Sequence, residues 1–128
     1  MGKPILIIED DRDIADILRY SLERARFETR VAYDGESGLL ASLDARNPPA
    51  LILLDLLLPG MNGLEICRRL RREKQTAMTP IVMVTAKSSE ADCASAYAAG
   101  VDDYIRKPFS IQALISRVRA LTHKTEVL

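Results

Sequence analysis

Short apolar runs alternate along this chain with amphipathic segments in which apolar residues recur every three or four positions. Continuous aliphatic runs of this length are typical of strands buried on both faces of a parallel sheet. Three such runs, Ile5–Ile8, Leu51–Leu54 and Ile81–Val84, are therefore predicted to form the centre of the sheet. Thr29–Ala32 and the segment around Tyr104-Ile105 are more polar, which predicts edge strands.

The amphipathic segments predict five helices. Asp10 or Asp11 is placed to cap the first helix, and Ser88 or Ser89 to cap the fourth, which is rich in alanine and ends at Gly100. The arginines of the third helix are predicted to lie in solvent. The residues predicted to face the core are Ile14, Ile17, Leu18, Leu22, Leu39, Leu40, Leu43, Leu64, Ile66, Cys67, Leu70, Ile111, Leu114, Ile115, Val118 and Leu121.

Alternation of five strands with five helices predicts an α/β protein, a (βα)5 doubly wound parallel sheet with helices on both faces. Placing the most apolar strands at the centre gives the strand order 2-1-3-4-5, as in flavodoxin-like folds. The chain has 128 residues, the length of a single domain. We expect that domain over residues 1–124, with a linker or tail over residues 125–128.

The composition excludes several classes of function. Basic and acidic residues number 18 each, so the chain as a whole has no excess of positive charge for nucleic acid. Two cysteines, Cys67 and Cys93, are too few for a disulfide framework or a zinc site. The sequence shows no signal peptide and no apolar run of membrane-spanning length. These features predict a soluble cytoplasmic protein without a membrane partner.

The candidate chemistry lies where the strands end. Glu9 and Asp10 follow the first strand, Asp55 the third, Thr85 the fourth and Lys107 the fifth. Because the carboxyl ends of parallel strands meet at one edge, we expect these side chains to lie together. Three carboxylates repel one another unless a hard cation lies among them, and this donor set suits Mg²⁺. The ammonium and the hydroxyl can bind an anion.

Phosphoryl transfer to a carboxylate requires this set of groups, with Asp55 as the in-line nucleophile. Each residue alone has a simpler interpretation. Glu9 and Asp10 can cap a helix, Asp55 can be a loop carboxylate, and Lys107 can be a solvated lysine. Their joint position at four strand ends favours the phosphoryl-transfer site.

Across nearly its whole length the sequence resembles the receiver domain of two-component response regulators, with a CheY-like fold. The segments that carry the resemblance are ILIIEDD, LILLDLLLPGMNGLE, IVMVTAK and GVDDYIRKPFS. The last of these, followed by a helix rich in Leu, Ile and Arg, is similar to the OmpR/PhoB group. That group carries a winged-helix DNA-binding domain after the receiver. The resemblance implies that DNA would be reached only through such an output domain, which this sequence does not contain.

The resemblance also assigns roles to the site residues. Asp55 would accept a phosphoryl group from the phosphohistidine of a sensor histidine kinase. Mg²⁺ would be bound by Asp10, Asp55 and the backbone carbonyl of Leu57, with Glu9 acting largely through water. The other contacts to the phosphoryl oxygens would come from Thr85 and Lys107, and the Lys107-Pro108 bond would be cis. Such a protein is mainly a signalling switch, although it catalyses its own phosphorylation and dephosphorylation.

In the switch that the resemblance implies, Thr85 moves toward the phosphoryl group and Tyr104 fills the vacated space. An ordinary edge-strand aromatic is the simpler interpretation of Tyr104. The apolar side chain of Leu57 cannot orient an attacking water, and Lys87 flanks the same path, so slow self-dephosphorylation is expected. Loop packing is the alternative role for both residues.

The OmpR/PhoB group dimerises on activation through the fourth helix, fifth strand and fifth helix, using charge pairs between subunits. The residues here that match this pattern are Asp102, Asp103, Arg117 and Lys124, and those that depart from it are Cys93, Ala98 and Ala113. Small residues in place of one charge pair predict a homodimer that is weaker or less sensitive to salt. The kinase would contact Asp13, Ile14, Ile17 and Phe109, although core packing is the simpler role for Ile14 and Ile17.

Three other functions fit the sequence less well. An aspartate-nucleophile phosphatase needs a second acid two residues after the nucleophile, where this chain has Leu57. An FMN-binding flavodoxin needs a phosphate loop after the first strand, but the sequence there is EDDRD, which repels phosphate. The remaining alternative is a receiver-like interaction module that works without phosphorylation, and the intact set of site residues disfavours it.

Overall fold

The computed structural model describes residues 2–123, which form a five-stranded parallel sheet between two layers of helices. The strands are β1 (Ile5–Ile8), β2 (Thr29–Ala32), β3 (Leu51–Leu54), β4 (Ile81–Thr85) and β5 (Asp103–Arg106). Their order across the sheet is β2-β1-β3-β4-β5, which confirms the predicted topology. The predicted tail, residues 125–128, and Lys124 lie outside the described residues.

Side chains that accept backbone N–H groups set the starts of the helices. The helices are α1 (Arg12–Arg24), α2 (Gly35–Ser42), α3 (Gly63–Arg72), α4 (Glu90–Ala99) and α5 (Ile111–His123). Asp11 rather than Asp10 caps α1, and Ser89 caps α4. Gly100 ends α4 with a φ of +115°, a left-handed conformation that favours glycine. Within residues 2–123, every helix is too short or too polar to cross a bilayer.

The sheet has a hydrophobic core on each face. Alternate residues of the central strands point to opposite sides, so that Leu6 and Ile8 pack with α2, α3 and α4. Ile5 and Ile7 pack on the other side with α1 and α5. Burial on both faces explains why these strands are aliphatic without interruption, and it confirms the doubly wound arrangement.

Two predicted core residues lie in solvent instead. Ile17 is 51% exposed and Leu40 is 70% exposed. In α2 the buried face includes Gly38, where a Cβ atom would lie 2.6 Å from the Ile8 side chain. This close approach turns Leu39 toward the core and the next residue, Leu40, away from it. In α1, Leu18 likewise faces the core while its neighbour Ile17 faces solvent, so core packing is not the role of Ile17.

Candidate functional site

The pairing of β1 with β3 brings two carboxylates side by side. Ile8 pairs in register with Leu54, so the residues that follow, Glu9 and Asp55, are neighbours at the edge of the sheet. A hydrogen bond of 3.1 Å from the Asp55 amide to the Ile8 carbonyl extends this pairing. The two acidic side chains are only 3% and 8% exposed. Two adjacent buried carboxylates require a compensating cation.

Lys107 supplies a cation to both of them. Its backbone amide donates to the Thr85 carbonyl at 2.9 Å, which holds the residue after β5 against the end of β4. Its ammonium donates to Glu9 Oε1 at 2.7 Å and to Asp55 Oδ2 at 2.9 Å. The Lys107-Pro108 peptide bond is cis, as the sequence resemblance implied. Lys107 therefore contacts three of the other four predicted site residues, Glu9 and Asp55 through its ammonium and Thr85 through its backbone amide.

Backbone amides bind the second oxygen of each carboxylate. The Asp11 amide donates to Glu9 Oε2 and the Leu57 amide to Asp55 Oδ1, both at 3.1 Å. Burial raises the pKa of Glu9 to about 7; the hydrogen bond from Lys107 opposes this shift and the charge of Asp55 reinforces it. Burial disfavours the charged form of Lys107, but its hydrogen bonds to the two carboxylates outweigh burial and raise its pKa. Lys107 is therefore charged at neutral pH.

Asp10 completes an acidic cluster at this edge. One carboxylate oxygen from each of Glu9, Asp10 and Asp55 lies within 4.8 Å of the other two. Asp10 is exposed, which leaves room for a cation that keeps part of its hydration shell. Mg²⁺ binds in this way, through few carboxylates and several waters. The donor set fits Mg²⁺, while the backbone carbonyl of Leu57 as a further ligand stays a prediction.

Thr85 and Tyr104 both contact the loop that follows β4. The Thr85 side chain is fully buried, and its hydroxyl accepts a hydrogen bond from the Lys87 amide at 3.3 Å. The Tyr104 hydroxyl donates to the Lys87 carbonyl at 2.5 Å. The two predicted switch residues thus bind opposite sides of one backbone segment. A role for Thr85 and Tyr104 as a switch stays a prediction.

Residues predicted for the dimer face are paired within the chain. Arg117 forms an ion pair with Asp103, linking α5 to β5. Asp102 binds Arg71 of α3. Cys93 and Ala113 line one shallow surface depression together with Arg117, and Ala98 is exposed on α4. Both acids predicted for this face therefore already have partners inside this chain, and the dimer face stays a prediction.

The sequence does not predict two structural roles, that of Gly63 beside the site and that of Arg71 at the opposite end of β4. A Cβ atom on Gly63 would lie 2.4 Å from the Asp55 carbonyl oxygen, so only glycine lets α3 begin this close to the phosphoacceptor candidate. The dipeptide Asn62-Gly63 indicated a turn but not this approach. Arg71, predicted to lie in solvent, has a side chain only 20% exposed. Its guanidinium binds backbone carbonyls of three loop residues, Thr76, Ala77 and Thr79.

Comparison with known proteins agrees with this geometry. The family model described as the response regulator receiver domain matches residues 5–119. The chain belongs to the response regulator receiver domain family. Among solved structures, a two-component response regulator from Clostridium difficile superposes with a TM-score of 0.90 at 27% identity, covering 98% of this chain and all of that one. The receiver domain of a Francisella response regulator gives a TM-score of 0.87 at 32% identity, covering 97% of this chain and 99% of that one.

Two curated relatives of this receiver domain place it near OmpR/PhoB-type regulators. Response regulator ArlR of Staphylococcus saprophyticus is 44% identical over 120 residues, which are 94% of this chain and 52% of ArlR. The DNA-binding dual master transcriptional regulator RpaA of Synechocystis is 41% identical over 122 residues, covering 95% of this chain and 50% of RpaA. The chain spans about half the length of these relatives.

Proposed function

We propose that this receiver domain is a phosphorylation switch in which Asp55 accepts a phosphoryl group from the phosphohistidine of a sensor histidine kinase. The observation that carries the proposal is the ammonium of Lys107, which hydrogen bonds to Asp55 and Glu9 at the same time. A buried carboxylate with a cation beside it is prepared for a reaction in which negative charge gathers at that position.

In the reaction, an Asp55 oxygen attacks phosphorus, a P–O bond forms, and the P–N bond to the kinase imidazole breaks. The imidazole leaves with the electron pair and takes up a proton. Lys107 stays beside the phosphoryl oxygens and neutralises their charge, and the Thr85 hydroxyl donates to one of them. Mg²⁺, held by Glu9, Asp10 and Asp55, would supply charge neutralisation on the same oxygens.

The lifetime of the acyl phosphate is part of the proposal. The Leu57 side chain is 52% exposed beside Asp55 and carries no group that can orient a water. We propose that Lys87, whose backbone hydrogen bonds to both predicted switch residues, flanks the path of the attacking water. We expect slow self-dephosphorylation, which a Leu57→Asn substitution would accelerate by adding an amide able to hold water.

The proposed output is transcriptional, through a winged-helix domain outside residues 1–128. The proposed location is the cytoplasm, where the ATP-dependent kinase acts. Its support is the similarity to RpaA, whose name describes a DNA-binding regulator. We propose a homodimer on the α4–β5–α5 face that is weaker or less sensitive to salt than in the OmpR/PhoB group, since Cys93, Ala98 and Ala113 carry no charge. Sedimentation of the phosphorylated domain tests this, and a dimer lost at moderate salt would contradict it.

Intact mass spectrometry tests the acceptor role. Incubation with Mg²⁺ and acetyl phosphate should add the mass of one phosphoryl group to the wild-type chain and none to Asp55→Asn. Asp34→Asn, which changes a carboxylate that caps α2, is the matched control and should be modified like the wild type. A wild-type chain that gains no mass would favour an interaction module that works without phosphorylation.

A further inference from the structure

Arg71 joins three segments that are separate in sequence. Its Nη1 donates to the carbonyls of Thr76, Ala77 and Thr79 at 3.1, 3.2 and 2.7 Å. Its Nε donates to the carbonyl of Gly100, at the C-terminal end of α4, at 2.9 Å. One guanidinium therefore fixes the loop before β4 and the end of α4 to the last turn of α3.

Asp102 ties this cluster to the sheet. Its Oδ2 accepts from Arg71 Nη2 at 2.9 Å and from the Ile81 amide at 2.8 Å. Its own backbone amide donates to the Ile81 carbonyl at 2.8 Å. Both sides of Ile81, the first residue of β4, are thus bound by a single residue. Removing a charged partner from such a network costs more than removing an isolated surface pair.

The C-terminal end of α4 has further attachments to α3. The Cys67 thiol donates to the Ala99 carbonyl at 3.3 Å. The stem of Arg71 packs against Gly100, where a Cβ atom would lie 2.8 Å from Arg71 Cγ. Ala96 and Ala99 are buried in the core between these contacts. The last turn of α4 is therefore anchored by hydrogen bonds and by apolar packing.

The N-terminal end of α4 is different. Residues 86–91 are all exposed, and the first buried residue of the helix is Ala96. The cap contacts of Ser89 are local, to Asp92. On the loop before the helix, the bonds from Thr85 and Tyr104 meet at Lys87. Few buried contacts mean a low local free energy of opening, so this end can move while the other is held.

We propose that Arg71 and Asp102 form an anchor that fixes the C-terminal end of α4, so that phosphorylation of Asp55 is transmitted by movement of the N-terminal half of the helix alone. The anchor holds Ile81, the first residue of β4, while the acceptor site acts on Thr85, the last. A change at the site therefore passes into residues 86–94 and not into the start of β5. This inference rests on the proposed phosphorylation and adds how its effect is transmitted to α4.

The anchor also gives Asp102 a role inside one subunit. Its carboxylate holds two partners of its own chain, so a charge pair with a second subunit would compete with the Arg71 contact. Substitution of Asp102 is thus expected to change the monomer, at concentrations where no dimer forms. A residue that acted only in a dimer would have no effect there.

Hydrogen exchange on the full chain, read by mass spectrometry of peptides over residues 88–94 and 96–102, tests the anchor. Arg71→Gln should raise exchange in residues 96–102 about tenfold, the effect of losing a charge-assisted hydrogen bond. Arg72→Gln is the matched control, because it removes the same charge from the neighbouring exposed position and should leave both segments unchanged. Asp102→Asn keeps an acceptor for Ile81 but loses the ion pair, and should raise exchange in residues 96–102 without unfolding the domain.

The second arm adds Mg²⁺ and acetyl phosphate. In the wild-type protein, the exchange rate of residues 88–94 should change when the donor is added. The exchange rate of residues 96–102 should stay within about twofold of its value without donor. In Arg71→Gln both segments should respond. Equal responses of the two segments in the wild type, or an Arg71→Gln variant that exchanges like Arg72→Gln, would overturn the anchor. If no phosphoryl group is added, the acceptor proposal fails, and the comparison of Arg71→Gln with Arg72→Gln without donor still decides whether the anchor exists.

Discussion

The ammonium of Lys107 lies 2.9 Å from Asp55 Oδ2, although 52 residues separate the two along the chain. The sheet produces this contact, because β5 and β3 flank β4 and end at the same edge. The ammonium hydrogen bonds to carboxylate oxygens that would otherwise be free to bind a metal ion. Lys107 and Mg²⁺ are therefore expected to share the negative charge of the site.

Lys107→Met should destabilise the domain more without metal than with it. Without metal, loss of the ammonium leaves two buried carboxylates uncompensated, and the free energy of unfolding should fall by about 1–3 kcal/mol. With Mg²⁺, the carboxylates are free to bind the ion and much of that stability should return. Urea unfolding in EDTA and in Mg²⁺ measures both. Lys74→Met, at an exposed position, should change neither value, and an equal loss in both conditions for Lys107→Met would contradict the shared-charge account.

Removal of the metal should lower the melting temperature through Asp10. At a free Mg²⁺ concentration one hundred times the dissociation constant, binding adds about 2.7 kcal/mol to stability. Asp10→Asn should lose most of this gain while its melting temperature in EDTA changes little, because Asp10 is exposed. Asp16→Asn on the exposed side of α1 should keep the full gain. If Asp10→Asn responds to Mg²⁺ like the wild type, the metal lies elsewhere.

Gly63→Ala should destabilise the domain even though alanine usually favours a helix. The new Cβ would lie 2.4 Å from the Asp55 carbonyl oxygen and 2.8 Å from Leu56 Cα, both backbone atoms that cannot rotate away. A loss of about 1–3 kcal/mol is expected from this crowding. Gly2→Ala, which adds the same methyl group where nothing lies within 4 Å, should be neutral. A neutral Gly63→Ala in urea unfolding would show that α3 can shift without cost.

Much of the fold could be predicted because the patterns that determine it lie within short segments of the sequence. Continuous aliphatic strands and the polar residues at their ends are visible in short segments, and they indicated the sheet order and the residues that meet at its edge. Ile17 and Leu40 were misplaced because the apolar pattern leaves the rotation of a helix on the sheet uncertain by one residue. In α2 that rotation depends on the close approach of Gly38 to Ile8, a contact between residues distant in sequence. Arg71 was missed for a similar reason, since its Gly100 partner lies 29 positions away and is a backbone carbonyl.

The two thiols should react at very different rates. Cys67 is fully buried, and burial raises the pKa of its thiol above the ordinary value, so little thiolate forms at neutral pH. Cys93 is partly exposed on α4. Native protein should release one equivalent of thionitrobenzoate from Ellman's reagent quickly, and a second equivalent only in denaturant. The fast reaction should disappear in Cys93→Ser and persist in Cys67→Ala, and fast labelling of both cysteines would contradict the packing of α3 against α4.

Asp55 is proposed to carry the phosphoryl group, and its position can be read chemically. The most direct measurement is reduction of the acyl phosphate with borohydride after incubation with acetyl phosphate, followed by peptide mapping. Reduction converts a phosphorylated aspartate to homoserine, which marks its position. We expect homoserine at position 55 with Mg²⁺ present and almost none in EDTA. Homoserine at Asp10 or at another carboxylate, or labelling that does not depend on Mg²⁺, would contradict it.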